Sequence, residues 1–270
     1  MTRTLTVAAP AKVNLFLHVT GRRSDGYHDI ESLFALVDLA DSITLALRED
    51  GVVAAAHAVA GIDDDLTLRA ARALRDAAAI DRGVTIALAK RIPLGAGLGG
   101  GSSDAASVLL ALNRIWGVDW PRARLAALGA TLGADVPFFV GGQNAVARGI
   151  GEALTPVTLP THWLALLTPP VHVRTADIFA APELTRDTPS AKMNVFSEGY
   201  GRNDLAGVTA AKFPEVAGAL AALPEARMTG SGACVFAAFA TQSEAIAAIA
   251  GREGRVVRTL ARHPLAGFAR

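Results

Sequence analysis

The sequence predicts an α+β fold of two packed layers, divided into an N-terminal domain (residues 1–152) and a C-terminal domain (residues 153–270). The 270 residues are 51% hydrophobic and 19% charged, which is enough apolar material for two packed cores. Strand-like alternation and helix-like periodicity occur in both halves, which favours two αβ halves with mixed sheets over one doubly wound parallel sheet. Glycine, proline and threonine cluster between Gly149 and Pro160, and this cluster marks the boundary.

The first half begins with strands and continues with helices. Alternating apolar and polar residues predict strands with short connections at Thr4–Ala8, Val13–Thr20, Ile30–Leu39 and Ser42–Leu47. Ala40 and Asp41 are expected to separate the last two. A helical period predicts an amphipathic helix at Asp63–Ala79. Later segments predict a strand at Val84–Ala89 and helices at Ser102–Trp116 and Pro121–Leu132.

The second half mixes short strands with helices. Apolar runs between turn residues predict strands at Trp163–Leu167, Ala226–Thr229, Cys234–Ala240 and Arg255–Thr259. Helices are expected at Ala176–Phe179, Asp204–Ala211, Glu215–Leu223 and Glu244–Ala250.

Charge and cysteine content exclude several classes of protein. Twenty-six basic and 25 acidic residues leave a formal charge of +1, so no overall field favours nucleic acid or an anionic membrane. A single cysteine, Cys234, excludes an internal disulfide and a cysteine-based metal cage. No apolar run approaches the ~20 residues of a membrane span, and no signal-peptide core precedes Lys12. We therefore expect a cytoplasmic protein.

The most informative segment is rich in glycine and immediately precedes a buried helix. It consists of Pro93, Leu94, Gly95, Ala96, Gly97, Leu98, Gly99, Gly100, Gly101, Ser102 and Ser103. Glycines let successive N–H groups point into one concavity, and the helix N-terminus adds roughly half a positive charge. Either serine could cap the helix and offer a hydroxyl to a phosphate. The segment predicts a phosphate-binding loop, with a flexible loop capped by the serines as the alternative.

Two better-known phosphate motifs do not fit this segment. The spacing Gly95-x-Gly97-x-x-Gly100 matches the dinucleotide fingerprint, but no second strand follows the helix to carry an acidic residue. A Walker A loop ends in Gly-Lys-Ser/Thr, and this one ends in Gly-Gly-Ser without the lysine. The sequence therefore predicts a phosphate loop of another kind.

Two charged residues are candidates for chemistry. Asp135 lies in the apolar sequence Gly-Ala-Asp-Val-Pro-Phe-Phe, where an ionised carboxylate is costly unless a cation pairs with it. It could accept a hydroxyl proton or, alternatively, cap a helix before the proline. Lys12 begins an apolar strand and is one of only four lysines in a chain rich in arginine. It could serve a site that needs a compact ammonium group, or it could be a surface residue.

Three separated segments resemble the motifs of the GHMP kinases, a superfamily of small-molecule kinases. They are Pro10–Leu15, Pro93–Ser103 and Gly230–Cys234. Asp25–His28, Gly133–Pro137 and the Gly-Gly-Gly-Ser-Ser form of the loop are similar to the branch that acts on a cytidine-diphosphate sugar alcohol. The resemblance implies a GHMP kinase-like two-domain fold with the active site in the cleft between the domains.

The resemblance also implies an activity and a set of site residues. The implied reaction uses ATP and Mg²⁺ to phosphorylate the 2-hydroxyl of 4-diphosphocytidyl-2-C-methyl-D-erythritol, in the non-mevalonate route to isoprenoid precursors. Lys12 and Asp135 would be the catalytic pair, and residues 93–103 would bind ATP with Lys90 near the adenine. The substrate would contact Asn14, Thr175 and a cytidine pocket made of Tyr27, His28 and Phe179. No residue is assigned as a magnesium ligand.

Two other functions compete with this one. A GHMP kinase of the homoserine or mevalonate type would act on a substrate without a base, so the aromatic residues near Tyr27 argue against it. A nucleotide sensor with the same fold would not need both Lys12 and Asp135. The expected partners are ATP and the small alcohol, without nucleic acid or membrane and with at most a weak homodimer.

Overall fold

The computed structural model describes residues 4–58, 65–190 and 201–270. Within them the strands are β1 (Thr4–Arg22), β2 (His28–Arg48), β3 (Val53–Ala55), β4 (Gly83–Ala89), β5 (Ala145–Arg148), β6 (Ala153–Pro156), β7 (Trp163–Leu167), β8 (Arg227–Met228), β9 (Val235–Phe239) and β10 (Gly254–Arg258). The helices are α1 (Leu66–Ala78), α2 (Gly100–Ile115), α3 (Arg122–Ala130), α4 (Val136–Gly141), α5 (Thr175–Phe179), α6 (Ala206–Lys212), α7 (Pro214–Ala222) and α8 (Gln242–Ala248), with a 3₁₀ turn at Ala266–Phe268.

The expected α+β fold is confirmed, with two sheets that carry helices. The first sheet has six strands, and five of them pair in the order β3-β4-β2-β5-β6. Strands β4 and β5 lie along one edge of the long strand β2, and β1 lies along its other edge. Only the β3–β4 pair is parallel. The second sheet has the order β10-β7-β9-β8 and is antiparallel throughout. The expectation of mixed sheets is therefore right for the first half and wrong for the second.

The first two strands are much longer than the sequence predicted. β1 and β2 pair antiparallel from Thr4 to Arg22, and the pairing shifts between Pro10 and Lys12 through a bulge. The predicted break at Ala40 and Asp41 is wrong, because β2 continues through these two residues. The part of β2 before them pairs with β5, and the part after them pairs with β4. Bulges interrupt the two-residue alternation without ending the strand, and so the pattern suggested separate strands.

Helix α2 lies at the centre of the first half. Its residues from Ser103 to Asn113 are all buried, and it contacts α1, α3, α4 and β1. The sequence predicted a buried helix here, and the structure confirms it. None of the helices in the described part of the chain combines the length and apolarity that a membrane span requires.

An apolar core joins the two sheets. Val13 and Val37 of the first sheet pack with Leu164, Leu166 and Phe236 of the second. The first sheet continues past residue 152, because β6 pairs with β5. The C-terminus also returns to the first half, where the backbone N–H of Arg122 donates to the carbonyl of Arg270 (2.7 Å). This packing fixes β1 beside the second half of the chain.

Helix ends follow local capping chemistry. Asp65 caps α1 by accepting from the backbone N–H of Thr67 (2.8 Å), and the earlier part of the predicted helix at Asp63 and Asp64 lies outside the described residues. Thr241 and Glu244 form a capping box, so α8 starts before the predicted Glu244. The expected serine cap on α2 is wrong, because that helix already begins at Gly100 and the Ser103 hydroxyl donates to the Pro10 carbonyl (2.6 Å).

A buried charge cluster anchors the start of the glycine-rich segment. The Lys90 ammonium donates to Asp41 of β2 and to Asp104 of α2 (2.7 Å to Asp104). Asp41 also accepts from the backbone N–H groups of Arg91 and Ile92 (2.5 and 2.9 Å). Two carboxylates share one ammonium, and Asp104 Oδ1 is buried without a hydrogen bond among the described residues. The pKa of Asp104 is raised to about 7, chiefly by burial and also by the neighbouring Asp41 carboxylate, and Lys90 opposes the shift.

We predict that Asp104→Asn changes the pH dependence of stability. In the unfolded chain an aspartate titrates near pH ~4. Between about pH 4 and 7 the folded chain therefore binds one more proton, and the free energy of unfolding falls by about 1.4 kcal/mol per pH unit as the pH rises. Asparagine cannot ionise, so the stability of the variant relative to the natural chain should increase over this interval. Urea denaturation at a series of pH values measures this difference.

The same substitution at Asp76, which is exposed on α1, serves as the control. The same measurement on this variant gives the effect of removing one exposed carboxylate. An Asp104→Asn curve that runs parallel to that of the natural chain would show that the Asp104 carboxyl does not titrate in this range.

Candidate active site

A cleft of about 710 Å³ opens where the two sheets meet. Its lining comes from β1, the turn that follows it, the glycine-rich segment, α5 and the turn between β8 and β9. The lining includes Lys12, Asn14, Tyr27, His28, Gly97, Gly99, Asp135, Thr175, Phe179, Gly230 and Ser231. Residues that the sequence assigned separately to catalysis, phosphate binding and substrate binding thus face one cavity.

Lys12 reaches the cleft with its ammonium almost completely buried. The residue is 4% exposed, so it is not a surface lysine. Its Nζ donates to Asn14 Oδ1 (2.7 Å), lies 3.7 Å from Asp135 Oδ2, and is 5.1 Å from the centre of the Phe34 ring. Burial lowers the pKa of Lys12, and Asp135 opposes that shift. The ammonium is held in one place by an amide, a carboxylate and an aromatic face.

Asp135 precedes α4 but does not cap it. Its backbone is helical, and its side chain makes no capping hydrogen bond. The carboxylate is 31% exposed, whereas the Lys12 side chain beside it is 5% exposed. Its two oxygens are therefore available both to the ammonium and to a molecule in the cleft. This geometry favours a chemical role for Asp135 over the capping role.

Three distant segments of the chain meet beside this pair. The backbone N–H of Lys12 donates to the Leu98 carbonyl (3.0 Å). The Thr229 hydroxyl accepts from the backbone N–H of Asn14 (2.9 Å) and lies 3.1 Å from the Gly97 carbonyl, to which it can donate. Gly97 has a φ of +74°, and a Cβ on it would lie 2.3 Å from the Thr229 carbonyl oxygen, so only glycine fits. The motif that contains Lys12 and the two glycine-rich motifs therefore meet at one junction.

The glycine-rich segment presents the N-terminus of α2 at this junction. The first intrahelical bond runs from the backbone N–H of Ser103 to the Gly99 carbonyl (2.9 Å). The N–H groups of Gly100, Gly101 and Ser102 therefore have no partner within the helix. Together with the helix dipole they form a site suited to an anion. Gly99 has a φ of +70°, and a Cβ there would crowd Phe139 (3.0 Å) and the Lys12 side chain (3.2 Å).

Aromatic side chains lie in another part of the cleft. The rings of His28 and Phe179 are tilted against each other, with centres 5.1 Å apart. Tyr27 is 62% exposed, which shows that it does not cover the core. Thr175, at the start of α5, hydrogen-bonds through its hydroxyl to Ser231 (2.8 Å). Aromatic faces exposed in a cleft suit the stacking of a flat ring.

Some predicted site residues lie elsewhere or are occupied by internal bonds. Lys90 is not in the lining, because Asp41 and Asp104 hold its ammonium beside the start of α2. Asn14 is buried, and its amide is held by Lys12, Ser32 and Thr229. Its contact with the cleft is therefore limited, and it orients the lysine.

Sequence reasoning missed several residues of the site, among them Arg22, Phe34 and Thr229. Arg22 and Phe34 line the cleft, and Thr229 holds the junction together. Thr229 directly precedes the third motif, which was a usable signal. Phe34 comes from the middle of β2, and no local pattern distinguishes it from a core residue.

Comparison with known proteins agrees with this geometry. Residues 65–143 match the family model described as GHMP kinases N terminal domain, and residues 181–254 match the one described as GHMP kinases C terminal. A protein of Thiobacillus denitrificans named 4-diphosphocytidyl-2-C-methyl-D-erythritol kinase is 56% identical, over 96% of this chain and 97% of its own length.

Two solved structures are also similar. A crystal structure of 4-(cytidine 5'-diphospho)-2C-methyl-D-erythritol kinase is 36% identical with a TM-score of 0.84, over 94% of this chain and 99% of that one. A homoserine kinase from Cytophaga hutchinsonii has a TM-score of 0.64 at 16% identity, over 97% of this chain and 96% of that one, and so shares the fold alone. The motifs, the junction that they form and these similarities lead to one conclusion. The chain belongs to the GHMP kinase family.

Proposed function

We propose that this chain is a kinase that transfers the γ-phosphoryl group of ATP to the 2-hydroxyl of 4-diphosphocytidyl-2-C-methyl-D-erythritol. The observation that carries the proposal is one cleft lined by Gly97 and Gly99 of the glycine-rich segment, by Lys12 and Asp135, and by Tyr27, His28 and Phe179. The first set suits phosphates, the second an acceptor hydroxyl, and the third a pyrimidine ring. The relative that is 56% identical is named as a kinase for this compound, which supports the same substrate here.

The charged pair would act directly on the acceptor hydroxyl. Asp135 accepts the hydroxyl proton, while the oxygen forms a bond to the γ-phosphorus. The bond from that phosphorus to the β–γ bridging oxygen breaks, and ADP leaves with the electron pair. Lys12 stays protonated beside Asp135 and stabilises the negative charge that develops on the moving phosphoryl oxygens.

ATP would place its phosphates at the N-terminus of α2. The free N–H groups of Gly100, Gly101 and Ser102 and the helix dipole favour that position. Lys90 would keep the beginning of the helix in place and lie toward the adenine side. The rest of the segment from Pro93 to Ser103 would wrap the nucleotide.

Magnesium fits this arrangement as a cation carried by the nucleotide. Among residues 4–58, 65–190 and 201–270 there is no group of three acidic, histidine or cysteine side chains that could cage a metal ion. Mg²⁺ at kinase sites is held mainly by phosphates and water with one or two carboxylates. We assign no side chain as its ligand. When bound, it would neutralise charge on the phosphates.

The remaining expectations stay proposals. The domain division at residues 152 and 153 is supported by the two separate sheets, although β6 extends the first sheet beyond it. The proposed partners are ATP and the cytidine substrate, with at most a weak homodimer. The proposed location is the cytoplasm, where ATP is available.

A substrate panel tests the function. We expect ADP release, measured in a coupled assay, with 4-diphosphocytidyl-2-C-methyl-D-erythritol and not with homoserine, mevalonate or phosphomevalonate. The reason is that the last three have no base to occupy the aromatic part of the cleft. Phosphorus NMR of the product should place the new phosphate on the 2-hydroxyl. Turnover of mevalonate or homoserine at a comparable kcat/KM would instead assign the chain to a different GHMP kinase activity.

We expect Asp135→Asn to lower kcat by roughly 10²–10⁴-fold, which is the usual contribution of a positioned proton acceptor. The affinity for ATP should change little, because the phosphates bind at α2. Steady-state kinetics and calorimetric titration with ATP measure the two quantities. Asp81→Asn, at an exposed aspartate before β4, is the matched control and should retain full activity. A kcat near that of the natural chain in Asp135→Asn would remove the proposed role of the carboxylate.

A further inference from the structure

Arg186 connects the two sides of the aromatic part of the cleft. It lies in the segment after α5, and its guanidinium is half-buried. Its Nη2 donates to the carbonyls of Phe179 (3.0 Å) and Ala181 (2.6 Å), and its Nη1 donates to the carbonyl of Leu184 (2.9 Å). Its Nε donates to His28 Nε2 (3.0 Å), at the beginning of β2. One side chain thus fixes the helix that carries Phe179 and reaches across to the imidazole.

The bond to His28 determines where the imidazole carries its proton. A guanidinium has five N–H donors and no acceptor. His28 Nε2 must therefore accept through its lone pair, which leaves the ring neutral with its hydrogen on Nδ1. A free histidine is not restricted to this tautomer, so the arginine selects it.

The surroundings of the ring favour the same state. The charged groups that act on it are Arg186 and Arg22, the β1 residue paired with His28. Burial and these two cations lower the pKa of His28. Phe179 covers the ring on the α5 side. Burial and the two arginines therefore disfavour the imidazolium form.

We propose that Arg186 is a positioning residue for the base: it holds His28 as the neutral Nδ1–H tautomer and holds Phe179 against it. Among the described residues Nδ1 has no hydrogen-bond partner, and His28 lines the cleft. The ring therefore offers one fixed donor to a ligand there. This inference rests on the proposed function and names the residue that positions His28 in the pocket for the base.

The fixed donor suits a cytosine ring. Cytosine carries two acceptors, N3 and O2, along one edge, and a neutral Nδ1–H can donate to either. A ring with its hydrogen on Nε2 would present a lone pair to that edge and repel it. Arg186 would thus contribute to binding without touching the substrate.

The tautomer is measured first, on the whole natural chain without ligand. Long-range ¹H–¹⁵N spectra of protein labelled with ¹⁵N-histidine at pH 7 distinguish the two neutral tautomers and the cation. The sequence has six histidines, and loss of one signal set in His28→Gln assigns the relevant ring. We expect Nδ1 protonated and Nε2 unprotonated. A ring that is cationic, or protonated on Nε2, overturns the inference whatever the substrate is.

Kinetics of Arg186→Gln then test the consequence. We expect the KM for the cytidine substrate to rise about tenfold, which corresponds to the loss of one good hydrogen bond. The kcat and the KM for ATP should change by less than about twofold, because Lys12 and α2 are untouched. The His28 signals should move toward the Nε2–H tautomer. Phe179→Ala, which removes the opposing ring, is the positive control for a raised substrate KM.

Further variants separate this role from a structural one. Arg174→Gln removes an exposed arginine just before α5 and should leave both KM values unchanged. Arg186→Lys keeps a donor near the carbonyls but loses the planar fork, so its KM should lie between those of the natural chain and Arg186→Gln. If the natural chain phosphorylates the cytidine substrate and Arg186→Gln leaves the KM for that substrate unchanged, the role of Arg186 is overturned and the proposed function stands. A natural chain inactive on that substrate would overturn the proposed function instead.

Discussion

The ammonium group of Lys12 is removed from water and fixed beside a carboxylate, and the rest of the site is arranged around that constraint. A buried ammonium is unfavourable unless it is paired, and here Asn14 and Asp135 provide the partners. The bulge in β1 turns the lysine into the cleft, and the backbone bond to Leu98 holds the glycine-rich segment next to it. The position of the anion site relative to the ammonium is therefore set by the backbone.

Close backbone packing explains the glycines at this junction. The Thr229 hydroxyl is bound to Asn14, which lies 215 residues away in sequence, and also contacts the Gly97 carbonyl. Any side chain at position 97 would separate these segments. Behind them, the cluster of Asp41, Lys90 and Asp104 fixes the start of α2. The glycines thus serve two purposes, because they expose N–H groups and permit three segments to meet.

Local patterns predicted the elements and motifs of this chain well, and tertiary contacts much less. Periodicity located α2 and the strands of the second half, since each buries one continuous apolar surface. It split β1 and β2, because a bulge breaks the alternation while hydrogen bonding continues. Motif resemblance identified Lys12 and Asp135, and the structure brings them together. Arg186 and Phe34 were missed because their partners come from distant parts of the chain.

The central claim is that an anion bound at the N-terminus of α2 lies next to the Lys12–Asp135 pair. A crystal structure of the chain with a non-hydrolysable ATP analogue and the cytidine substrate tests it most directly. We predict that the terminal phosphate contacts the N–H groups of Gly100 to Ser102 and lies within hydrogen-bond reach of Lys12, with the acceptor hydroxyl against Asp135. Phosphates bound away from the glycine-rich segment, or a substrate hydroxyl remote from Asp135, would contradict the account.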